Sequence, residues 1–294
     1  MLPNFLVIGA NKAGTTSLYH YLKAHPQVFM SAVKEPSYFA LAGALPPGSR
    51  PDTVLTKEMV ATREDYEELF ETVDGEKAIG EVSTTYPPSL PAALRIRREI
   101  PDAKLIAILR DPSDRAQSAH AMYVGRGVEP LESFEAAVEE ELGGCPWRKY
   151  VKRGFYHEGL SRYYTLFGPH QVKVLLYEDL RDEPLRVLRD IFEWLDVDSS
   201  FVPDVSRRYN PSGSPRSSAV QQVLEGDSRV KAALKTMLPR PACGWTRRRA
   251  QSWNQARPKE LSQGMRRRLI GVFEEDIRRL EGLIDRDLSE WLTA

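Results

Sequence analysis

The chain has 294 residues, 41% hydrophobic and 28% charged, which suits a globular protein with a sizeable core and one large domain. Lys+Arg and Asp+Glu both total 41, and this zero net charge argues against a general nucleic-acid or anionic-membrane binder. Cys145 and Cys243 lie far apart without metal-ligand spacing, and no apolar run approaches the roughly 18 residues of a membrane span, so a disulfide scaffold is disfavoured and a cytoplasmic location expected.

The N-terminal "MLPNFLVIGA" has no basic n-region, so it reads as a lead-in to a buried strand, Phe5–Gly9, and not as a signal peptide. A helix is predicted over Thr15–Ala24, then a Pro/Gly-rich surface loop around 43–53. A helix over Arg63–Thr72 precedes a strand over Ala78–Val82, and a helix over Leu90–Ile100 precedes a strand over Lys104–Leu109. Helices over Pro112–Val124 and Tyr156–Phe167 follow, with a strand over Val172–Tyr177. "YNPSGSPRSS", from Tyr209 to Ser218, reads as a second loop. Leu261, Met265, Leu269, Phe273, Ile277, Leu280 and Ile284 recur in steps of three and four, the stripe of an amphipathic helix. Near-continuous apolar strands such as "LIAIL", alternating with helices, predict an α/β fold: a single domain over 1–294 with a central parallel sheet flanked by helices.

"GANKAGTTSL", residues 9–18, lies between the first strand and the first helix. Gly9 and Gly14 keep the spacing of an ATP-type phosphate loop, but Thr15 holds the lysine slot and Lys12 sits two residues before Gly14. Such a turn aims backbone N–H groups and a helix N-terminus at an anion, and Lys12 within it can reach the same anion. Three readings are open at this point: an ordinary capped turn, a kinase or nucleotidase loop with "LIAILRD" as its metal-binding strand, or a loop for different phosphate chemistry. The next strand places Arg110 at its carboxyl end, where α/β proteins bind ligands, and Ser118 follows on the next helix. A guanidinium there suits bidentate phosphate recognition or an ion pair with Asp111 or Asp114.

Together these stretches resemble the sulfotransferases that use 3′-phosphoadenosine 5′-phosphosulfate (PAPS), in the branch of the heparan-sulfate-type and bacterial carbohydrate enzymes. "GANKAGTTSL" is similar to that family's 5′-phosphosulfate loop and "LRDPSDRAQSAH" to its 3′-phosphate segment. "KEPSYF" (34–39), "GEVSTTYP" (80–87), "RGFYHEGLSRYY" (153–164), "YNPSGSPRS" and "DRDLSEWL" (285–292) continue the likeness in order along the chain. The resemblance implies a P-loop-like fold and transfer of a sulfuryl group from PAPS to a hydroxyl or amine of a carbohydrate, glycolipid or secondary metabolite. It also implies that PAP is left behind and that no metal is required. By the same resemblance Lys12 would touch the bridging oxygen of PAPS, while Lys12, Ala13, Gly14, Thr15, Thr16 and Ser17 form the 5′-phosphate cradle. Arg110 and Ser118 would take the 3′-phosphate, and the Tyr209-to-Arg216 loop would close over the nucleotide, with Arg216 a phosphate contact. Glu35 matches the glutamate that serves as general base. His20, His25, His120, His157 and His170 are the other basic side chains of this type, with His120 the nearest rival.

One position departs from the pattern. Some heparan-sulfate-type members carry lysine after the glutamate of "GEVSTTYP", and here that residue is Val82, with Glu81, Ser83 and Thr84 left as polar contacts near the sulfate. The runs Arg247–Arg249 and Arg266–Arg268 read as exposed helix faces balanced by acidic neighbours, and Tyr19, Tyr21, Tyr38 and Phe39 as core. A P-loop kinase or nucleotidase and a non-catalytic nucleotide-binding module are the competing functional classes.

Overall fold

The structure is a computed structural model that describes residues 1–42, 59–206 and 261–294. A five-stranded parallel sheet runs in the order β2-β3-β1-β4-β5, built from β1 (Phe5–Gly9), β2 (Val28–Met30), β3 (Ala78–Val82), β4 (Lys104–Leu109) and β5 (Val172–Leu176). Every residue of β1 and β3 is buried, so helices cover both faces, which is why these strands do not alternate and, Glu81 apart, are apolar. In the register Phe5 lies opposite Gly80, and a Cβ at Gly80 would stand 2.2 Å from the Phe5 ring. Only glycine lets that ring fill the layer.

The chain leaves β1 toward the β2 edge and leaves β4 toward the β5 edge. The crevice between the carboxyl ends of these two neighbouring strands is therefore a topological switch point, where open α/β sheets bind ligands. Helix α1 (Thr15–Lys23) follows β1, and α4 (Leu90–Glu99) leads from β3 to β4. Ser89 caps α4 by accepting the Ala92 amide at 3.2 Å.

The predicted strands and helices are present with small shifts. The strand over Val172–Tyr177 ends at Leu176, and Tyr177 instead opens α8 (Tyr177–Asp182). The helix predicted to Thr72 stops at Glu68 as α3 (Arg63–Glu68). Among the described residues α8 was not anticipated, nor were β2, whose three residues carry no periodicity, α2 (Tyr38–Leu41), α6 (Phe134–Leu142) and α9 (Pro184–Trp194). Met265, Leu269, Phe273, Ile277 and Leu280 are buried along the helix Gln263–Ile284, as their spacing requires. No helix among the described residues is long and apolar enough to cross a membrane.

The chain forms two compact units. The first comprises the described parts of Met1–Asp111, Phe155–Asn210 and Phe273–Leu292 and contains the whole sheet. The second comprises those of Pro112–Gly154, Pro211–Val272 and Thr293–Ala294, with α5 (Pro112–Gly125) and α6. Pro112 is the first helical residue of α5, as a proline after a strand end predicts.

Candidate active site

In the sheet-bearing unit, the turn after β1 carries Lys12 in the left-handed conformation (φ 68°) and Gly14 at φ 93° as the residue before α1. A Cβ at Gly14 would stand 3.0 Å from the Tyr177 ring, so both conformation and space favour glycine there. Ala10 anchors the turn to β4 by donating its amide to the Ile108 carbonyl at 2.6 Å. Ala13 and Thr15 are buried, whereas Lys12, Gly14, Thr16 and Ser17 are half-buried. No acidic residue occupies the first turn of α1, so nothing there opposes an anion at its positive end.

Arg110 follows β4 and reaches back to this turn, with Nη1 3.5 Å from the Lys12 carbonyl oxygen. Its guanidinium lies 4.8 Å from the centroid of the Tyr177 ring. Tyr177 thus packs on Gly14 with one part of its ring and faces the cation with another, tying the two predicted phosphate-binding segments together. The Arg110 carbonyl accepts the Tyr156 hydroxyl at 2.9 Å. Asp276, in turn, accepts the Tyr156 amide at 2.7 Å and the His157 amide at 3.3 Å, capping α7 (His157–Phe167). Burial raises the Asp276 carboxyl above its usual range.

Glu35 comes from the turn after β2 and is strapped to the end of β3. Its amide donates to the Val82 carbonyl at 2.8 Å, and its carboxylate accepts the Thr84 amide at 2.7 Å and the Thr84 hydroxyl at 3.0 Å. The other carboxylate oxygen meets the Lys34 ammonium at 3.1 Å. Glu35 therefore sits at the same carboxyl end of the sheet as the Lys12 turn, because β3 and β1 are parallel neighbours. Glu35 at φ 66° and Ser37 at φ 58° both hold left-handed backbone, the conformational cost of this tight turn.

Glu81 does not face the crevice. Its carboxylate is fully buried and accepts hydroxyls from Tyr86 at 2.6 Å, Ser83 at 2.8 Å and Tyr66 at 3.4 Å. Burial pushes this carboxyl up to about 7 despite those donors, with the nearby Glu35 charge acting in the same direction. Tyr38 and Phe39 fill core as expected, with the Tyr38 and Tyr66 rings stacked 4.3 Å apart.

In the second unit, Ser118 is nearly buried on α5, and His120 is buried with Nε2 2.8 Å from the Leu131 carbonyl oxygen. Burial lowers the His120 pKa. Arg266 pairs with Asp114 at 2.5 Å and Arg268 pairs with Glu139, so that basic run is balanced by acidic partners as its composition implied. His25, in the first unit, is buried between Phe192 and Phe201 and bonds the Asp198 carbonyl, a structural setting. Arg216 and the run Arg247–Arg249 lie outside the described residues. Tyr177, Tyr156, Asp276 and the tyrosines around Glu81 were missed from sequence. Only Tyr177, directly after an apolar strand, carried a local signal.

A family profile described as "Sulfotransferase family" matches residues 3–201. A solved structure of a sulfotransferase from Alicyclobacillus acidocaldarius is 30% identical, superposes with a TM-score of 0.76 and covers 100% of both chains. The membrane-associated sulfotransferase kil1 of Dictyostelium discoideum is 34% identical over 145 residues, 48% of this chain and 28% of its own length. The human bifunctional heparan sulfate N-deacetylase/N-sulfotransferase 3 is 29% identical over 209 residues, 67% of this chain and 22% of that protein. The chain spans roughly a quarter of the length of these two curated relatives.

Proposed function

The chain belongs to the sulfotransferase family, and from that premise we propose that it moves a sulfuryl group from PAPS to a hydroxyl or amine of a carbohydrate, glycolipid or secondary-metabolite acceptor. The observation that carries this reading is the convergence of the Lys12 turn and Arg110 on neighbouring strand ends, with Tyr177 packed against both.

The residues present fit the donor. Gly14 lets the Tyr177 ring pack directly on the turn, and a lysine, an arginine and hydroxyl side chains supply the cationic and donor groups an anionic nucleotide demands. PAPS would supply an activated sulfuryl group whose in-line displacement expels a phosphate oxygen. Lys12 would neutralise charge on that leaving oxygen, with Ala13, Gly14, Thr15, Thr16 and Ser17 holding the 5′-phosphate. Arg110 and Ser118 would hold the 3′-phosphate, and Arg216 would add a further phosphate contact. Glu35, kept in place by Thr84, would accept the acceptor's proton. A single sulfotransferase domain over 1–294, a cytoplasmic location and independence of metal complete the proposal.

Calorimetry tests the donor. 3′-Phosphoadenosine 5′-phosphate should bind tightly without Mg²⁺ and ATP weakly, and better binding of ATP with Mg²⁺ would overturn the reading. An acceptor screen with PAPS, detecting added sulfate by mass spectrometry, then defines the substrate, and transfer should vanish in Lys12→Ala and Glu35→Gln.

A further inference from the structure

The carboxylate of Glu81 lies beneath the turn that presents Glu35, and one hydroxyl connects them. Ser83 donates to Glu81 at 2.8 Å and accepts the Ser37 amide at 2.9 Å. Ser37 then accepts the Thr85 hydroxyl at 3.0 Å and donates to the Glu35 carbonyl at 3.3 Å. The backbone held by this chain is left-handed at both Glu35 and Ser37, a shape that the surrounding bonds must impose on non-glycine residues.

We infer that Glu81 is a positioning residue for Glu35: its ionised carboxylate orients Ser83, Ser83 fixes Ser37, and the 35–37 turn is thereby held so that Glu35 seats on Thr84. The donor count supports the direction. A carboxylate is acceptor-only, so it accepts the Ser83 hydroxyl's hydrogen bond and leaves the Ser83 lone pairs for the Ser37 amide. Once protonated, Glu81 brings a proton of its own into a pocket of hydroxyl donors, its remaining lone pairs accept more weakly, and its hold on Ser83 is loosened. The titratable groups around Glu81 are Tyr66 of α3, Tyr86 of the turn after β3, Tyr163 of α7 and Glu35 itself. Burial raises all three tyrosines above their ordinary value, so they remain proton donors while Glu81 titrates near neutrality.

The importance of this device for catalysis rests on Glu35 as the base, but its existence does not. Amide hydrogen exchange read by NMR tests the device directly in the full chain. In the wild type, protection of the Ser37 and Thr84 amides should rise as pH passes through about 7. In Glu81→Gln that pH dependence should disappear, with protection at pH 8 at least about tenfold lower at both amides and unchanged at Leu6 and Ile106 in the sheet. Ser83→Ala, which cuts the relay while keeping the carboxylate, should lose the same protection at Ser37 and serves alone should Glu81→Gln fail to fold. Equal protection in wild type and variants, or loss spread equally over the sheet amides, would overturn the inference. Glu35→Gln separates the two claims. If it keeps sulfuryl transfer while Glu81→Gln still loses Ser37 protection, the base assignment fails and the positioning device stands.

Discussion

Glu81 in the sheet-bearing unit and Glu129 in the helical unit are both closed off from water, yet their carboxyls are displaced in opposite directions. Burial pushes each one up. Around Glu81 the answering groups among the described residues are hydroxyls, and the carboxyl stays raised at about 7. Around Glu129 the Arg148 guanidinium makes a two-pronged pair, Nε and Nη2 each at 2.9 Å, joined by the Leu131 amide and the Tyr150 hydroxyl at 2.9 Å each. Those donors outweigh burial and hold Glu129 below its usual range. A buried carboxylate with a guanidinium is a fixed strut, whereas one with hydroxyls alone is free to titrate. The titratable one lies under the candidate base.

The contrast breaks most visibly at Glu129. Glu129→Gln strands a buried guanidinium with Glu140 at its rim, and should cost about 3–5 kcal/mol in urea unfolding at pH 7. Affinity for 3′-phosphoadenosine 5′-phosphate should be unchanged in the molecules that remain folded. A cost below about 1 kcal/mol would show that Arg148 finds other partners and that the strut is no strut.

The opposite sign is expected at Glu81. Its folded pKa, about 7, exceeds the ordinary 4.5, so its contribution to stability is present below about 4.5 and is lost as pH rises through about 7. For Glu129, whose pKa is lowered, the contribution is present above the ordinary value and lost as pH falls through the folded one. Glu81→Gln removes the first titration. Its unfolding free energy relative to wild type should climb by about 3 kcal/mol between pH 4 and pH 9, followed by urea titration across that range. A flat difference would mean that Glu81 is not raised by burial.

How far this contrast was legible in sequence depends on the range of the contacts. The Lys12 turn and Arg110 could be read because each is a contiguous strand-turn-helix junction, and apolar strands sharing one sheet bring such junctions together. Glu35 was legible as part of a motif, but its seat on Thr84 joins residues 49 apart and left no local trace. Glu81 read as a polar contact near the sulfate, not as a buried carboxylate. Its burial depends on Tyr66 and Tyr86, which a one-dimensional pattern assigns simply to core. The Glu129–Arg148 pair was invisible for the same reason: its partners lie 19 residues apart on segments without periodicity.

Removing single hydroxyls sharpens the comparison. Tyr86→Phe deletes the shortest donor to Glu81, at 2.6 Å, in a site where the partners among the described residues are hydroxyls. The carboxyl should rise further, and stability at pH 8 should fall by about 2 kcal/mol with little change at pH 5, where Glu81 is already protonated. A loss of equal size at both pH values would assign the effect to packing alone.

Tyr150→Phe is the matched change at the strut, deleting a 2.9 Å donor to Glu129. Arg148 and the Leu131 amide remain on that carboxylate, so its charge stays compensated. The cost should be only about 1 kcal/mol and should be the same at pH 6 and pH 8, because Glu129 stays ionised across that window. Differential unfolding of the two Phe variants at those two pH values is a direct test of the contrast. If Tyr150→Phe shows the pH dependence expected of Tyr86→Phe, the guanidinium does not control Glu129, and the distinction between a fixed and a titratable carboxylate fails at its root.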